Sequence, residues 1–347
     1  MIIGTKKDKK IMAKKAINPH ILVTGMSGMG KTWFCQSTLV QRAEEGERVL
    51  VFNYHQVCAR DQMHPEVRKR YDSLVNIIKV REGIPLPLFT PFVSPTGKVE
   101  AESATMHRIC NILQVAGKLT EPQARDLFAA VKDAFSKNLY AKCGIVSVAK
   151  KLELIGTGPS IRTLGNLRAV FDNNVFVDGD MLESEKPIIE LDFEGIEYDE
   201  QKAVVRLVCD FYLRLAMTMQ FSENPLTLFI DECQNLDYGR DSTMFTIVNE
   251  GRKLGLTLLL ATPSILSSKK DDMRVLNQFG TRIVFKPLPN ELTKTADILD
   301  RRRKIFLTFE LSDLERGKFI CGTTVQGAND EDNPFDVLST YLPGESS

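Results

Sequence analysis

Short apolar runs alternate with amphipathic stretches near the start of the chain. Residues 20–25 (HILVTG) and 48–55 (RVLVFNYH) are apolar and rich in β-branched or aromatic residues, which is typical of buried strands. Residues 31–45 between them follow a helical pattern. A strand, a glycine-rich loop, a helix and a second strand in this order make a βαβ unit, so the sequence predicts an α/β fold.

The same alternation returns in the second half of the chain. Apolar runs at residues 187–193, 226–232, 256–263 and 281–287 predict four further strands, and residues 199–219 predict a long amphipathic helix. Strands that alternate with helices favour one mainly parallel sheet with helices on both faces.

The region between these two parts has a different character. Residues 61–175 carry apolar residues at helical spacing, as in SATMHRICNILQVAGKL and EPQARDLFAAVKDAF, and also contain the proline-rich segment PLPLFTPFVSPTG. We interpret this region as a helical insertion within a single domain that spans residues 1–347. A chain of this length can bury a large core.

Composition and charge exclude few partners. Lysine plus arginine and aspartate plus glutamate both total 45, so contact with DNA would depend on a local basic patch. None of the seven cysteines lies in CxxC spacing, which favours a reducing compartment. No apolar run approaches the roughly 20 residues of a membrane span, and the start lacks the apolar core of a signal peptide. We therefore expect a cytoplasmic protein without direct membrane insertion.

The segment GMSGMGKT, residues 25–32, fits the phosphate-loop pattern G-x-x-x-x-G-K-[ST] between a predicted strand and a predicted helix. Its glycines let successive backbone N–H groups turn toward a phosphate, and the helix N-terminus adds the positive end of its dipole. We expect Lys31 to reach the β- and γ-phosphates of ATP and the Thr32 hydroxyl to bind Mg²⁺. The alternative is a glycine-rich turn with an incidental lysine. The predicted ATP-binding residues are Gly25, Met26, Ser27, Gly28, Met29, Gly30, Lys31, Thr32 and Trp33.

Two adjacent carboxylates follow a later predicted strand, in LTLFIDECQNL. At the carboxyl end of that strand, Asp231 would hold Mg²⁺ through its water shell, and Glu232 would act as general base toward the attacking water. The second carboxylate favours hydrolysis over simple nucleotide binding, although such a pair also occurs in plain solvated turns. Thr262, at the end of the next strand, is a candidate for contact with the γ-phosphate or the attacking water, or has no role.

Four segments in this order, NPHILVTGMSGMGKT, TLFIDECQNL, NEGRKLGLTLLLATPS and GTRIVFK, resemble the HerA/FtsK superfamily of DNA-pumping and conjugative ATPases. The segment IIGTKKDKK resembles the short strand region that precedes the phosphate loop in those proteins. The match covers residues 1–55 and 187–325. It implies a RecA-like P-loop NTPase fold, ATP hydrolysis with Mg²⁺, and assembly into a hexameric ring.

In that family, the arginine of the EGRK-like segment is an arginine finger that enters the active site of the neighbouring subunit. The resemblance carries this catalytic role over to Arg252. A guanidinium stabilises the charge that develops on the transferred phosphoryl group, and its supply by a neighbour couples hydrolysis to the subunit interface. The spacing alone also fits a simpler interpretation, in which Arg252 and Lys253 are cations at a helix C-terminus capped by Gly255.

The chain departs from the family pattern at two points. The family often has glutamine after Ala-Thr, whereas this chain has Pro263, which leaves any phosphate-sensing role to Thr262. Among the residues that flank the core, we expect neither the β-barrel of HerA proteins nor the membrane segment and winged helix of FtsK proteins. We therefore expect a bare motor that obtains its substrate specificity from a partner protein.

Double-stranded DNA threaded through a ring would meet lysines and arginines on loops that face the pore. The candidates are the segment SSKKDDMR, with Lys269, Lys270 and Arg274, and the RRRK run at residues 301–304. Each segment is also typical of a solvated surface.

The leading hypothesis is a ring-forming ATPase that translocates or unwinds double-stranded DNA, with a nuclease or another effector protein as partner. Repair, mobile-element transfer and phage defence are the processes that this activity would serve. One alternative is a nucleotide-gated assembly protein that moves no DNA. Another is a conjugative or secretion-system motor for protein or nucleoprotein cargo, and both alternatives stay open at the level of the sequence.

Overall fold

The chain divides into two compact units. The first comprises residues 1–76, 186–188 and 222–347, and the second comprises residues 77–185 and 189–221. The computed structural model describes all residues except 7–8, 14–17, 54–55, 138–140, 172–175, 178, 220, 222–223, 265–273, 323–324, 327–336 and 342–347.

Strands and helices alternate along much of the chain. The strands are β1 (Ile2–Lys6), β2 (Lys9–Ala13), β3 (Ile21–Thr24), β4 (Arg48–Asn53), β5 (Val75–Lys79), β6 (Ile84–Pro85), β7 (Phe176–Val177), β8 (Ile188–Asp192), β9 (Leu226–Ile230), β10 (Leu256–Thr262), β11 (Thr281–Phe285), β12 (Lys318–Cys321), β13 (Val325–Gln326) and β14 (Val337–Thr340). The helices are α1 (Lys31–Glu44), α2 (Pro65–Leu74), α3 (Glu102–Gly117), α4 (Glu121–Ser136), α5 (Ala141–Ile155), α6 (Gly158–Asn166), α7 (Arg168–Phe171), α8 (Tyr198–Met219), α9 (Thr243–Leu254), α10 (Leu292–Leu299) and α11 (Lys304–Asp313).

The centre of the first unit is a run of parallel strands in the order β4-β9-β10-β3-β11. All residues of β3, β9 and β10 are buried. Because successive side chains of a strand point to opposite faces, burial of every position means that both faces of the sheet are covered. This arrangement confirms the predicted α/β fold with a mainly parallel central sheet.

Beyond β11 the sheet changes direction and continues through antiparallel pairs in the order β12-β14-β1-β2-β13. The sequence pattern does not predict this antiparallel extension. The strand region that the family resemblance places before the phosphate loop is present as β1 and β2, and its pairing with β14 joins the two ends of the chain in one sheet.

His20 fixes the entry to β3. The side chain is fully buried, its Nε2 donates to the carbonyl of Ile247 at 3.0 Å, and its Nδ1 accepts from the amide of Leu258 at 3.0 Å. Burial lowers the pKa of His20 to about 4, so the ring is neutral at physiological pH. One neutral imidazole therefore ties the start of β3 to α9 and β10.

The second unit is largely helical. Helix α3 packs against α4 and α8, and α4 packs against α5 and α6. A capping box between Thr120 and Gln123 starts α4, and the buried guanidinium of Arg108 is paired with Glu100. None of the described helices is long and apolar enough to cross a membrane.

The predicted long amphipathic helix is present as α8, and helices α3 to α7 occupy most of the region that was predicted to be helical. The interpretation of residues 61–175 as an insertion within one domain stays a prediction.

Candidate active site

The register of the central strands brings the predicted site residues to one edge of the sheet. Thr24, the last residue of β3, lies beside Thr262 of β10, and Ile230, the last residue of β9, lies beside Leu260 of β10. Strand β10 therefore stands between the strand that leads into the phosphate loop and the strand that leads into Asp231. Ligands of open α/β sheets bind at such carboxyl ends.

The loop between β3 and α1 depends on glycine at defined positions. Gly25, Gly28 and Gly30 have φ angles of 137°, 83° and 109°, a region that other residues rarely adopt. A Cβ atom on Gly25 would lie only 2.7 Å from the Cβ of Phe285, because β11 runs close beside the loop. The amide of Met26 donates to the carbonyl of Lys286 at 2.9 Å, which anchors the start of the loop to β11.

The middle of the loop presents backbone donors to open space. Among the described residues, no acceptor pairs with the amides of Ser27, Gly28, Met29 or Gly30. A Cβ atom on Gly28 would meet no atom of a described residue within 4 Å. Successive unpaired N–H groups at the start of a helix form an anion-binding concavity, so the loop fits the phosphates of a nucleotide.

Lys31 lies in the first turn of α1, where its Nζ donates to the carbonyl of Met26 at 3.2 Å. Burial lowers the pKa of Lys31, whereas the nearby carboxylates of Asp231 and Glu232 act in the opposite direction. The predicted phosphate-binding lysine and both predicted carboxylates therefore lie close enough to interact electrostatically, at the carboxyl ends of strands on either side of β10. Thr32, the predicted magnesium ligand, is the next residue of the same helical turn.

Trp33 follows in α1 and is partly buried beside the loop. Its Nε1 donates to the carbonyl of Gln62 at 3.0 Å, and the guanidinium of Arg316 lies over its ring at 5.7 Å from the centroid. The amide of Gly317 donates to the carbonyl of Met29 at 2.8 Å. The turn before β12 is thus fastened to the phosphate loop.

The turn after β9 has an unusual backbone at Glu232. This residue adopts a left-handed conformation, with φ 52° and ψ 41°, although it carries a side chain. Its amide donates to Oδ1 of Asp231 at 2.9 Å, and its carbonyl accepts from the Nδ2 of Asn235 at 3.0 Å. These bonds hold the two carboxylates in a fixed turn at the sheet edge.

Gln234, which belongs to none of the motifs recognised in the sequence, connects the two parts of the site. Its Nε2 donates to Oε2 of Glu232, and its Oε1 accepts from the hydroxyl of Thr262 at 2.9 Å. The signal in the sequence that could have identified Gln234 is its position as a polar residue in the 3-10 turn directly after the two carboxylates. The sequence alone gave no reason to pair it with a strand more than twenty residues away.

The hydroxyl of Thr262 is fully buried and engaged in the protein itself. It lies 2.9 Å from Oε1 of Gln234 and 3.0 Å from the carbonyl of Ser264. Pro263 follows directly and ends β10. The structure thus places Thr262 at the predicted edge and gives its hydroxyl partners within the chain.

Arg252 lies in the last turn of α9 and is exposed. Its side chain makes no hydrogen bond or ion pair with a described residue, whereas the neighbouring Lys253 pairs with Glu250 at 2.8 Å. Gly255 caps the helix in the left-handed conformation, as the simpler interpretation expects. A Cβ atom on Gly251 would lie 3.0 Å from the His20 ring, so this glycine lets α9 pack closely on the sheet.

The two candidate DNA-contact segments have different outcomes. Lys269 and Lys270 lie outside the described residues, and Arg274 is exposed. In the second segment, Arg301, Arg302 and Arg303 form an exposed 3-10 turn between α10 and α11.

The structure is similar to several solved structures along nearly its whole length. VirB4 of Thermoanaerobacter pseudethanolicus aligns with a TM-score of 0.68 and 13% identity over 99% of this chain and 96% of that chain. The bacterial conjugative coupling protein TrwBdeltaN70, in its unbound monoclinic form, aligns with a TM-score of 0.63 and 13% identity over 97% and 90% of the two chains. The plasmid coupling protein TrwB in complex with ADP and Mg²⁺ gives a TM-score of 0.61 and 12% identity over 93% and 85%.

Neither a scan against protein families nor a search of curated protein sequences finds a match to this chain. At 12–13% identity, the structural similarity establishes the fold alone. The chain has the P-loop NTPase fold that VirB4 and TrwB share, as the sequence predicts.

Proposed function

We propose that the protein is an ATP-hydrolysing ring motor that translocates or unwinds double-stranded DNA together with a partner effector protein. The observation that carries the proposal is the meeting, at one sheet edge, of a loop with unpaired amides, Lys31, and the pair Asp231 and Glu232. This combination supplies a phosphate site, a place for a divalent cation and a general base.

The nucleotide and the cation follow from the donors at this edge. The loop amides and Lys31 would hold the phosphates of ATP, and the Thr32 hydroxyl with Asp231 would hold Mg²⁺, which is usually bound by one or two carboxylates plus substrate phosphates. The crystallised complex of TrwB with ADP and Mg²⁺, which has the same fold, supports this assignment. Bound Mg²⁺ would neutralise the charge that develops on the phosphates. Glu232 would accept the proton of the attacking water.

Assembly into a ring, with six subunits as the family resemblance implies, would complete the site. Arg252 is exposed and makes no side-chain bond with a described residue, so its guanidinium is available to a neighbouring subunit. A guanidinium supplied from a neighbour stabilises the transition state of phosphoryl transfer and accelerates it by roughly 10³- to 10⁵-fold.

Basic loops would provide the contact with DNA. The chain carries no net charge, so binding would depend on clusters such as the exposed Arg301, Arg302 and Arg303. Contacts with phosphates are independent of sequence and weaken as salt rises.

The first test measures the ATPase rate of the purified protein with and without double-stranded DNA, together with its mass in solution with ATP. We expect hydrolysis that accelerates with DNA and a mass of several subunits. A monomer whose rate ignores DNA contradicts the motor. A slow, DNA-indifferent oligomer supports the assembly-protein alternative.

The second test concerns the arginine. Arg252→Ala should lower kcat by about 10³-fold with little change in ATP affinity. Lys253→Ala is the matched control, because this cation lies in the same helical turn but pairs within its own helix. Mixed rings of Arg252→Ala and Glu232→Gln subunits should recover activity, since some interfaces then combine an intact arginine with an intact base. Verified mixed rings without recovery contradict an arginine supplied from the neighbour.

A second candidate function is a conjugative or secretion-system motor. The observation that favours it is the alignment with the bacterial conjugative coupling protein TrwBdeltaN70 over 97% of this chain. The two candidates differ in cargo. ATPase stimulation by a protein or nucleoprotein substrate, with none by free double-stranded DNA, would favour this second function.

A further inference from the structure

One glutamine links the proposed catalytic base to the neighbouring strand. The Gln234 side chain donates through Nε2 to Oε2 of Glu232 and accepts through Oε1 from the Thr262 hydroxyl at 2.9 Å. Gln234 is half-buried, and Thr262 is fully buried. The bridge therefore runs from the turn after β9 to the end of β10, inside the sheet edge where the site lies.

Chemistry fixes the direction of this bridge. A carboxylate only accepts hydrogen bonds, so the NH₂ group of Gln234 must face Glu232. The amide oxygen then faces the hydroxyl of Thr262, whose single proton can be donated to this oxygen at 2.9 Å or to the carbonyl of Ser264 at 3.0 Å. Rotation of the amide by 180° would place two oxygens against each other at the carboxylate, so the bridge has one stable orientation.

The bridge leaves one carboxylate oxygen of Glu232, the proposed base, available to accept a proton. Oε2 of Glu232 is engaged by Gln234, and no described residue donates to Oε1. The left-handed backbone fixes where the side chain starts, and the bridge fixes where it ends. A general base works only when its accepting oxygen is held within hydrogen-bond reach of the water it activates.

The Thr262 end of the bridge is itself anchored. The hydroxyl also accepts from the amide of Ser264 at 3.3 Å, and the Ser264 hydroxyl donates to Oε1 of Glu291 at 2.5 Å, where α10 begins. Thr262 is thus a rigid point, and Gln234 transmits its position to Glu232.

We propose that Gln234 is a positioning residue for hydrolysis, which holds Glu232 against Thr262 so that one carboxylate oxygen is free to take the proton of the attacking water. This inference rests on the proposed ATPase function of the same site. It also gives Thr262 an indirect role through Gln234, in place of contact with the γ-phosphate.

The central experiment compares steady-state ATP hydrolysis by the wild-type oligomer and Gln234→Ala. We expect kcat to fall about 10- to 100-fold, since loss of orientation at a reacting group costs on this order. KM for ATP and the affinity for a non-hydrolysable ATP analogue should change less than about twofold, because the two hydrogen bonds of the Gln234 side chain go to Glu232 and Thr262 and not to the phosphate loop. Gln278→Ala, which alters an exposed glutamine of the same unit, is the control and should match the wild type.

A mutant cycle tests the connection to Thr262. Thr262→Val removes the hydroxyl at nearly constant volume and should lower kcat as much as Gln234→Ala does. Thr262→Ser keeps the hydroxyl and should recover most of that loss. The double variant Gln234→Ala, Thr262→Val should be no slower than either single variant, because both substitutions break the same bridge. Thermal unfolding of each variant verifies that it is folded.

The outcomes separate the inference from the proposed function. Wild-type protein that hydrolyses no ATP contradicts both. Wild-type hydrolysis with unchanged or raised kcat in Gln234→Ala contradicts the inference alone, as does a parallel loss of analogue binding. If the reductions in kcat of the two single variants multiply in the double variant, the bridge to Thr262 is contradicted. If Thr262→Val fails to fold, the kcat of Gln234→Ala alone still tests the positioning role of Gln234.

Discussion

The turns that follow β3 and β9 lie at the same sheet edge and contribute different chemical groups to the candidate site. The turn after β3 reaches positive φ angles at Gly25, Gly28 and Gly30, where a side chain is absent. The turn after β9 reaches a positive φ at Glu232, where a side chain is required. The first turn works through its backbone amides and the second through a carboxylate.

The difference shows which residue of the candidate site has a strained backbone conformation. Glycine adopts a left-handed conformation without steric cost, whereas another residue loses roughly 1–2 kcal/mol. The strained residue at the edge of β9 is the proposed base. Its amide donates to Asp231, and it accepts hydrogen bonds from Asn235 and Gln234. Strain of this kind persists where the neighbouring structure fixes the residue in place.

The largest expected effect is on the rate of ATP hydrolysis, and it distinguishes the contribution of one turn from that of the other. Glu232→Gln should reduce kcat by about 10³-fold and leave binding of a non-hydrolysable ATP analogue nearly unchanged, because a general base acts only in the chemical step. Lys31→Ala should weaken analogue binding, since it removes a charge from the phosphate site. Steady-state kinetics and calorimetric titration on both variants measure this split. Equal loss of binding in both variants would contradict the division of labour.

The second effect compares two glycines within the first turn. Gly25→Ala should reduce the free energy of unfolding by roughly 3–4 kcal/mol, because it adds a positive-φ cost to an overlap with Phe285. Gly28→Ala should cost only about 1 kcal/mol, since a methyl group there meets no atom within 4 Å in the part of the chain that the structure describes. Urea unfolding of both variants provides the numbers. Equal stabilities would show that the approach of β11 does not constrain the loop.

The amino end of β3 supplies a third effect, at the opposite edge of the sheet. The pKa of His20 falls from 6.5 to about 4 because the ring is buried, so the folded state binds a proton less readily than the unfolded state. Stability from the neutral ring is complete above pH 6.5 and is lost as the pH falls toward 4, by at most about 3 kcal/mol. Urea unfolding at several pH values measures the slope. In His20→Gln, the part of the pH dependence of unfolding free energy that comes from His20 should disappear. If this variant keeps the wild-type pH dependence, His20 is not its cause.

The smallest effect tests the strain at Glu232 directly. Both Glu232→Ala and Glu232→Gly remove the carboxylate, but only glycine adopts the left-handed conformation without steric strain. Glu232→Gly should therefore be more stable than Glu232→Ala by about 1 kcal/mol. Thermal or urea unfolding of the pair makes the comparison, and an alanine variant as stable as the glycine variant would mean that the turn relaxes when the side chain is shortened.

Local patterns predicted the parts of the site that local sequence builds. The loop at residues 25–32, the helix after it and the carboxylates after β9 each follow from a short segment, because a strand, a turn and a helix start have their own residue preferences. In the structure, Asp231 and Glu232 lie close enough to Lys31 to interact with it electrostatically.

The remaining parts depend on the order of the strands. Gln234 meets Thr262 only because β10 pairs with β9, and periodicity contains no information on which strands are neighbours. The antiparallel extension was missed for the same reason, since β1 and β14 come from opposite ends of the chain. The proposed role of Arg252 depends on a second subunit, so it stays a prediction.

The placement of Trp33 gives the protein an optical signal of its own. It is the single tryptophan in the sequence, it directly follows Thr32 in α1, and a guanidinium lies over its ring. All indole emission from the protein therefore originates next to the phosphate loop. Stopped-flow fluorescence could time the arrival and departure of nucleotide in the unmodified chain, without a dye or a labelled ligand.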